Sequence, residues 1–137
     1  LLTPYPVVTP AGAKTLRIRG GLLGQFSVWT KTFVDLLRGV HAMVDTGTHV
    51  PLELLQRNIE LTDANAVVFD AANRFAGCIP GINEILRRQG ILSTNHCLNP
   101  KEVLSPGQAA EIDRVCRDYP WLPDDAFVHA HLDEWLN

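Results

Sequence analysis

The sequence has 137 residues, 46% of them apolar and 20% charged, which suits one ordinary folded domain and excludes disordered, collagen-like and low-complexity chains. Twelve basic residues against fifteen acidic ones leave a net charge of −3, which offers no electrostatic reason to expect nucleic acid or an anionic membrane surface as a partner. No apolar run approaches the roughly 18 residues of a membrane span, and Leu1-Leu2-Thr3-Pro4 lacks the basic start of a signal peptide, so a cytoplasmic protein is expected.

Residues 1–15 are broken by Pro4, Pro6, Pro10 and Gly12, and the extended runs Val7-Val8 and Leu16–Arg19 flank a Pro/Gly turn. That pattern predicts a hairpin. Next comes Gly20-Gly21-Leu22-Leu23-Gly24-Gln25-Phe26-Ser27-Val28. Its glycines suit a place where another backbone passes close, and a buried strand is expected over 23–28. From Trp29 the apolar period lengthens: Trp29, Phe33, Leu36, Leu37, Val40 and Val44 make one face of a helix over 29–44, ended by Gly47. Pro51 suits a first helical position. From there Leu52, Leu55, Ile59, Thr62, Ala66 and Val68 or Phe69 carry an apolar stripe along one long helix, 51–73. Pro80 opens a helix with Ile82, Ile85 and Leu86 inward, Arg87-Arg88 in its last turn and Gly90 beyond it. Ser105-Pro106-Gly107-Gln108 reads as a capping box for a helix over 105–118, whose inner face is Ala109, Ile112, Val115 and Cys116. A last helix is expected over 124–136, with Asp124-Asp125 at its positive end. Five helices stand against one or two short strands.

Chemistry-bearing patterns are sparse. Cys78, Cys97 and Cys116 are an odd set with no C-x-x-C pair; they read as free thiols in a reducing compartment, and no zinc or other cofactor is expected. His129 and His131 point to different sides of a helix, and His96-Cys97 lacks a second pair. Gly20-Gly21-x-x-Gly24 fails both the P-loop and dinucleotide patterns and leaves only a small anion at the start of the 29–44 helix. Asp63 and Asp70 fall two turns apart on one helix face, far for an acid–base pair. Lys14, Lys31 and Lys101 are not set in apolar strands, the setting that tunes an amine for imine chemistry. No G-x-S-x-G elbow or activated cysteine appears.

Four ordered segments nonetheless resemble a known family. Gly21–Val28, a helix, a long helix and then Gly77-Cys78-Ile79-Pro80-Gly81-Ile82-Asn83-Glu84-Ile85-Leu86-Arg87-Arg88-Gln89-Gly90 are similar to the C-terminal part of the dihydrodipicolinate synthase/N-acetylneuraminate lyase family. The likeness extends to Leu104–Gln108 and Asp124–Val128. It implies an α/β fold: the last strand and helix of a (β/α)8 barrel with a hairpin insertion over 1–50, then a C-terminal helical region over 51–137. Members are class I aldolase-type enzymes that form a Schiff base between a lysine and pyruvate or a related 2-keto acid. The matching positions Gly24, Phe26 and Ser27 would line the substrate site across from that lysine, which lies on an earlier strand. Phe26 stands where isoleucine is commoner, and the 4–19 hairpin reads as an insertion.

A barrel closes only with all its strands and takes about 250 residues. One strand and five helices, with no initiator methionine and only Met43 elsewhere, are therefore expected to be a C-terminal fragment, inactive alone. Its partners would be the N-terminal barrel portion, a 2-keto acid and a homo-oligomeric copy, with no nucleic acid and no membrane. The alternative is a non-enzymatic helical module for assembly or partner binding, in which 51–73, 80–89 and 105–118 pack as a small bundle.

Overall fold

The computed structural model describes residues 1–137. It is mostly helical, with a two-stranded antiparallel sheet: β1 (Tyr5–Thr9), β2 (Gly12–Leu16), α1 (Thr30–Thr46), α2 (Leu52–Val68), α3 (Cys78–Arg88), α4 (Gln108–Asp118) and α5 (Asp125–Leu136). The hairpin pairs Tyr5 with Leu16 and Thr9 with Gly12. Gly12 takes φ +109°, which a side chain would resist. No helix is long and apolar enough to cross a membrane.

The strand expected over 23–28 does not form. Gly24–Ser27 is instead a turn of 3-10 helix, because a strand needs a ladder partner and the only two strands pair with each other. The segment satisfies its backbone locally, with Phe26 N–H donating to Leu23 O at 3.0 Å and the Ser27 hydroxyl to Gly24 O at 2.6 Å. Trp29 follows in the left-handed region (φ 53°), buried, and α1 starts one residue later. Gly47 ends α1 at φ 65°, as glycine past a helix end does.

The helix expected over 51–73 stops at Val68. Asp70, Arg74 and Phe75 all take positive φ around a 3-10 turn at Ala71–Asn73, and the chain reverses into α3. That turn is fastened by Asp70, whose carboxylate accepts from Gly77 N–H (2.8 Å), Asn73 Nδ2 (2.7 Å) and the Ser105 hydroxyl (2.6 Å). Ser105 therefore does not cap its own helix. A carboxylate outcompetes a backbone group for the hydroxyl, Gly107 turns left-handed, and α4 begins only at Gln108. Half of the capping box survives, as Gln108 Oε1 accepts from Ser105 N–H at 3.1 Å. The Gln108 amide nitrogen meanwhile reaches the carbonyls of Val67, Val68 and Gly77. α3 begins at Cys78, so Pro80 is its third residue, still within the turn whose N–H groups lack helical partners.

One hydrophobic cluster joins Val28, Trp29, Phe33, Ala64, Val68, Ile85, Ile112, Val115 and Leu122. α2 packs chiefly on α4 and more lightly on α3. The stripe expected to face inward on α2 faces solvent instead: Leu52 is 82% exposed and Ile59 65%, with Leu55, Thr62 and Ala66 also exposed. The buried side of α2 carries Ala64 and Val68. Apolar residues occupy two sides of this helix, and periodicity alone does not say which side a neighbour covers.

Candidate functional site

The residues singled out in the sequence sit where the 3-10 turn meets α1 and α2. Phe26 lies against Phe33, with ring centroids 5.3 Å apart at 55°, and lines an apolar cavity of about 570 Å³ that opens between α1 and α2. Phe33, Leu37 and Val40 form its α1 wall, Leu54 and Leu61 its α2 wall, and Leu1, Leu2 and Trp121 close its rim. Gly24 and Ser27 do not line it. A Cβ on Gly24 would press on the Phe69 ring at 3.3 Å, and Ser27 spends its hydroxyl on Gly24 O. Of the three residues expected to share a wall, the structure brings only Phe26 to the cavity.

Its polar lining is thin: Thr3, Thr30, Asn58 and Arg57. The Arg57 guanidinium is already engaged, paired with Glu53 and lying 5.0 Å from the Trp121 ring centroid. No lysine lines the cavity. Lys31 pairs with Asp35 and sits 5.6 Å from the Phe127 ring centroid, and Lys14 and Lys101 are exposed. No three His, Cys, Asp or Glu side chains gather closely enough to hold a metal ion. The site offers shape and apolar surface, not a nucleophile with its base.

Beside it lies an anomaly that the sequence did not signal. Gln25 is only 3% exposed, yet neither its amide nitrogen nor its amide oxygen has a hydrogen-bond partner. A buried amide without partners costs on the order of 1–3 kcal/mol. Segment 20–28 thus carries both a glycine-rich sequence and an unsatisfied polar group, while Leu22 and Leu23 stand bare.

The other candidate groups are structural. Asp63 and Asp70 do not share a site. Asp63 is bound by Arg114 (2.9 and 3.2 Å) and Tyr119 (2.7 Å), and the Arg114 hydrogen bonds hold its carboxyl below the usual range against the effect of burial. For Asp70, burial pushes the carboxyl up, but its bonds from Ser105, Asn73 and Gly77 outweigh that and leave it lowered. Glu84, buried on α3, is clasped by Arg87 and Arg88 and accepts from Asn95. The hydrogen bonds from Arg87 lead in pushing it down to about 2. The last-turn arginines therefore fold back onto Glu84. The three cysteines are free and half-buried, and burial raises the Cys78 and Cys116 thiols. His131 stacks between Phe127 and Trp135 on α5, whereas His129 is exposed.

The small-anion position at the start of α1 is taken by the chain itself. Asp124 Oδ2 accepts from Lys31 N–H at 2.9 Å, and its other oxygen accepts from Gln89 Nε2 at 2.7 Å. A carboxylate 93 residues away in sequence thus caps the helix where a phosphate would sit. Compared with known proteins, the chain finds no significant match among family models, curated proteins or solved structures.

Proposed function

We propose that these 137 residues are the closing part of a Schiff-base-forming lyase or synthase that acts on pyruvate or a related 2-keto acid, with the imine-forming lysine on the barrel portion of the same protein. The observation that carries this reading is segment 20–28. Its glycines suit close backbone neighbours, yet no strand pairs with it, Leu22 and Leu23 are bare, and the Gln25 amide is buried without a partner. Set between two strands of a barrel, the same backbone gains ladder bonds on both sides and the leucines gain cover. The surface area agrees. The chain exposes 9083 Å², against about 7,100 Å² for a compact monomer of its 15.2 kDa.

In this reading Gly24, Phe26 and Ser27 form the wall across from the lysine, as the family resemblance implies. No cofactor is called for. The amine adds to the keto carbon and water leaves. The resulting iminium then accepts electrons as the adjacent carbon loses a proton to a base, giving an enamine that adds to an aldehyde. In the cleavage direction the bond between that carbon and the next one breaks instead, an aldehyde departs, and the same enamine is left. A second reading, a helical module that serves assembly, draws on the bare apolar stripe of α2.

Borohydride trapping separates the two. Treating the polypeptide that carries these residues with pyruvate and borohydride reduces any imine to a stable secondary amine. The expected outcome is a labelled lysine outside these 137 residues, with the 137-residue chain alone unlabelled. Label on Lys14, Lys31 or Lys101, or no label anywhere in the polypeptide, overturns the lyase reading.

A further inference from the structure

The cavity between α1 and α2 is apolar along its length and charged at one point. Phe33, Leu37 and Val40 on α1 and Leu54, Asn58 and Leu61 on α2 line it. Each set is spaced by four and then three residues, so the cleft follows both helices for two turns, about 10 Å. Arg57 is the only charged side chain in its lining. We propose that this cavity binds a medium-chain fatty acid, with the alkyl chain laid between the two helices and the carboxylate paired with Arg57.

Arg57 is positioned for a carboxylate. Together with Leu36, Val40, Leu54 and Trp121 it also lines a smaller cavity of about 370 Å³ beside Pro51 and Glu53, so it stands where the two spaces meet. Its guanidinium rests 5.0 Å from the Trp121 ring centroid, a contact that holds a flexible side chain at the edge of the apolar space.

It also has donors to spare. Only Nη2 is bonded, to Glu53, whose side chain is 65% exposed, and an ion pair in solvent is weak. Nε and Nη1 have no partner within the chain. A carboxylate held at the mouth of an apolar cavity meets less competition from water than Glu53 does, so its charge-assisted hydrogen bonds to the guanidinium are the stronger ones.

The walls select the rest of the ligand. The cavity holds about 570 Å³, within the ~300–1,000 Å³ of small-molecule sites. Beside Arg57 its polar side chains are Thr3, Thr30 and Asn58, and Thr30 spends its hydroxyl on Phe26 O at 2.8 Å. A strand of polypeptide laid there would leave N–H and C=O groups unpaired. A helix, about 10 Å across, is as wide as the cleft is long. An alkyl chain brings no polar group and covers Phe33, Leu37 and Leu61. The site rests on α1, α2 and Trp121 and is independent of the lyase reading, since imine trapping labels a lysine and none lines this cavity.

Calorimetric titration of the 137-residue chain with octanoate, octan-1-ol and pyruvate tests the site. Octanoate is expected to bind saturably, one per chain, and octan-1-ol about tenfold or more weakly, because it lacks the charge that Arg57 meets. Pyruvate is expected not to displace octanoate. Arg57→Met keeps an apolar stem and removes the charge; it should lose about tenfold or more in octanoate affinity and bind octan-1-ol as wild type does. Leu37→Trp fills the middle of the cleft and should bind neither, with its far-UV helical signal retained. No saturable binding of octanoate to wild type up to about 1 mM, equal affinity for acid and alcohol, or displacement by pyruvate overturns the proposal. So does full octanoate affinity in Arg57→Met or in Leu37→Trp. The acid–alcohol comparison uses wild type alone, so it decides the matter whether or not the variants fold.

Discussion

Asp70 is the residue on which the helical part of the molecule turns. It takes a left-handed backbone (φ 57°) that costs a side-chain-bearing residue on the order of 1 kcal/mol or more, and three donors from three separate segments converge on its carboxylate. Two glycines make that convergence sterically possible. A Cβ on Gly77 would overlap the Gln108 side-chain oxygen, and one on Gly81 would overlap the backbone carbonyl of Val68. A side chain can rotate away, whereas a backbone carbonyl at a helix end cannot. Gly81→Ala is therefore expected to destabilise the protein by about 3 kcal/mol or more, read as a lower urea midpoint, and to cost more than Gly77→Ala. Equal stability of Gly81→Ala and wild type would show that α2 and α3 are not held as close as described. The sequence marks Gly81 only as a glycine inside a helix, since the carbonyl it accommodates lies 13 positions upstream.

The helices were legible as elements because their stop and start signals are local. Gly47 and Gly90 each act through the backbone within one turn of a helix end, and Asp125 lies in the first turn of α5. Their partners were not legible. Asp124 sits where a residue caps its own helix, yet it caps α1 and also holds Gln89, a choice made by how α5 lies across the start of α1. Asp124→Ala should remove that cap and lower unfolding free energy by about 1–2 kcal/mol. Asp124→Asn, which keeps an oxygen acceptor, should lose less. Denaturant curves of the two variants measure the difference, and an alanine variant as stable as wild type would show that α1 does not depend on this carboxylate. The stripe on α2 is the converse case. Its period was read correctly as an apolar face, but Leu52, Leu55 and Ile59 are bare, because period reveals a face and only a neighbour covers it.

At the scale of the whole molecule, a small core is supplemented by buried polar ties that depend on ionised carboxylates. Glu84 is held at about 2 against an ordinary 4.5, and Asp63 and Asp70 are lowered as well. A carboxyl whose folded value lies below its unfolded one binds protons more readily when unfolded. Its contribution is thus full above about pH 5 and is lost as pH falls towards 2. Unfolding free energy measured by urea at stepped pH should fall across that window, and Glu84→Gln should flatten the fall. An unchanged slope in Glu84→Gln would remove Glu84 as its source.

The sequence by itself determined a mostly helical chain with one hairpin, the number and order of its five helices, and a glycine-punctuated segment at 20–28 followed directly by α1. These follow from interactions that reach no further than a turn. Only the tertiary structure decided that 23–28 winds into a 3-10 turn, that Phe26 lines a cavity while Gly24 and Ser27 do not, and that α2 leaves its heptad stripe in solvent. Strand formation, cavity walls and covered faces each require a second segment at contact distance. That second segment is specified by packing and not by the residues of the first.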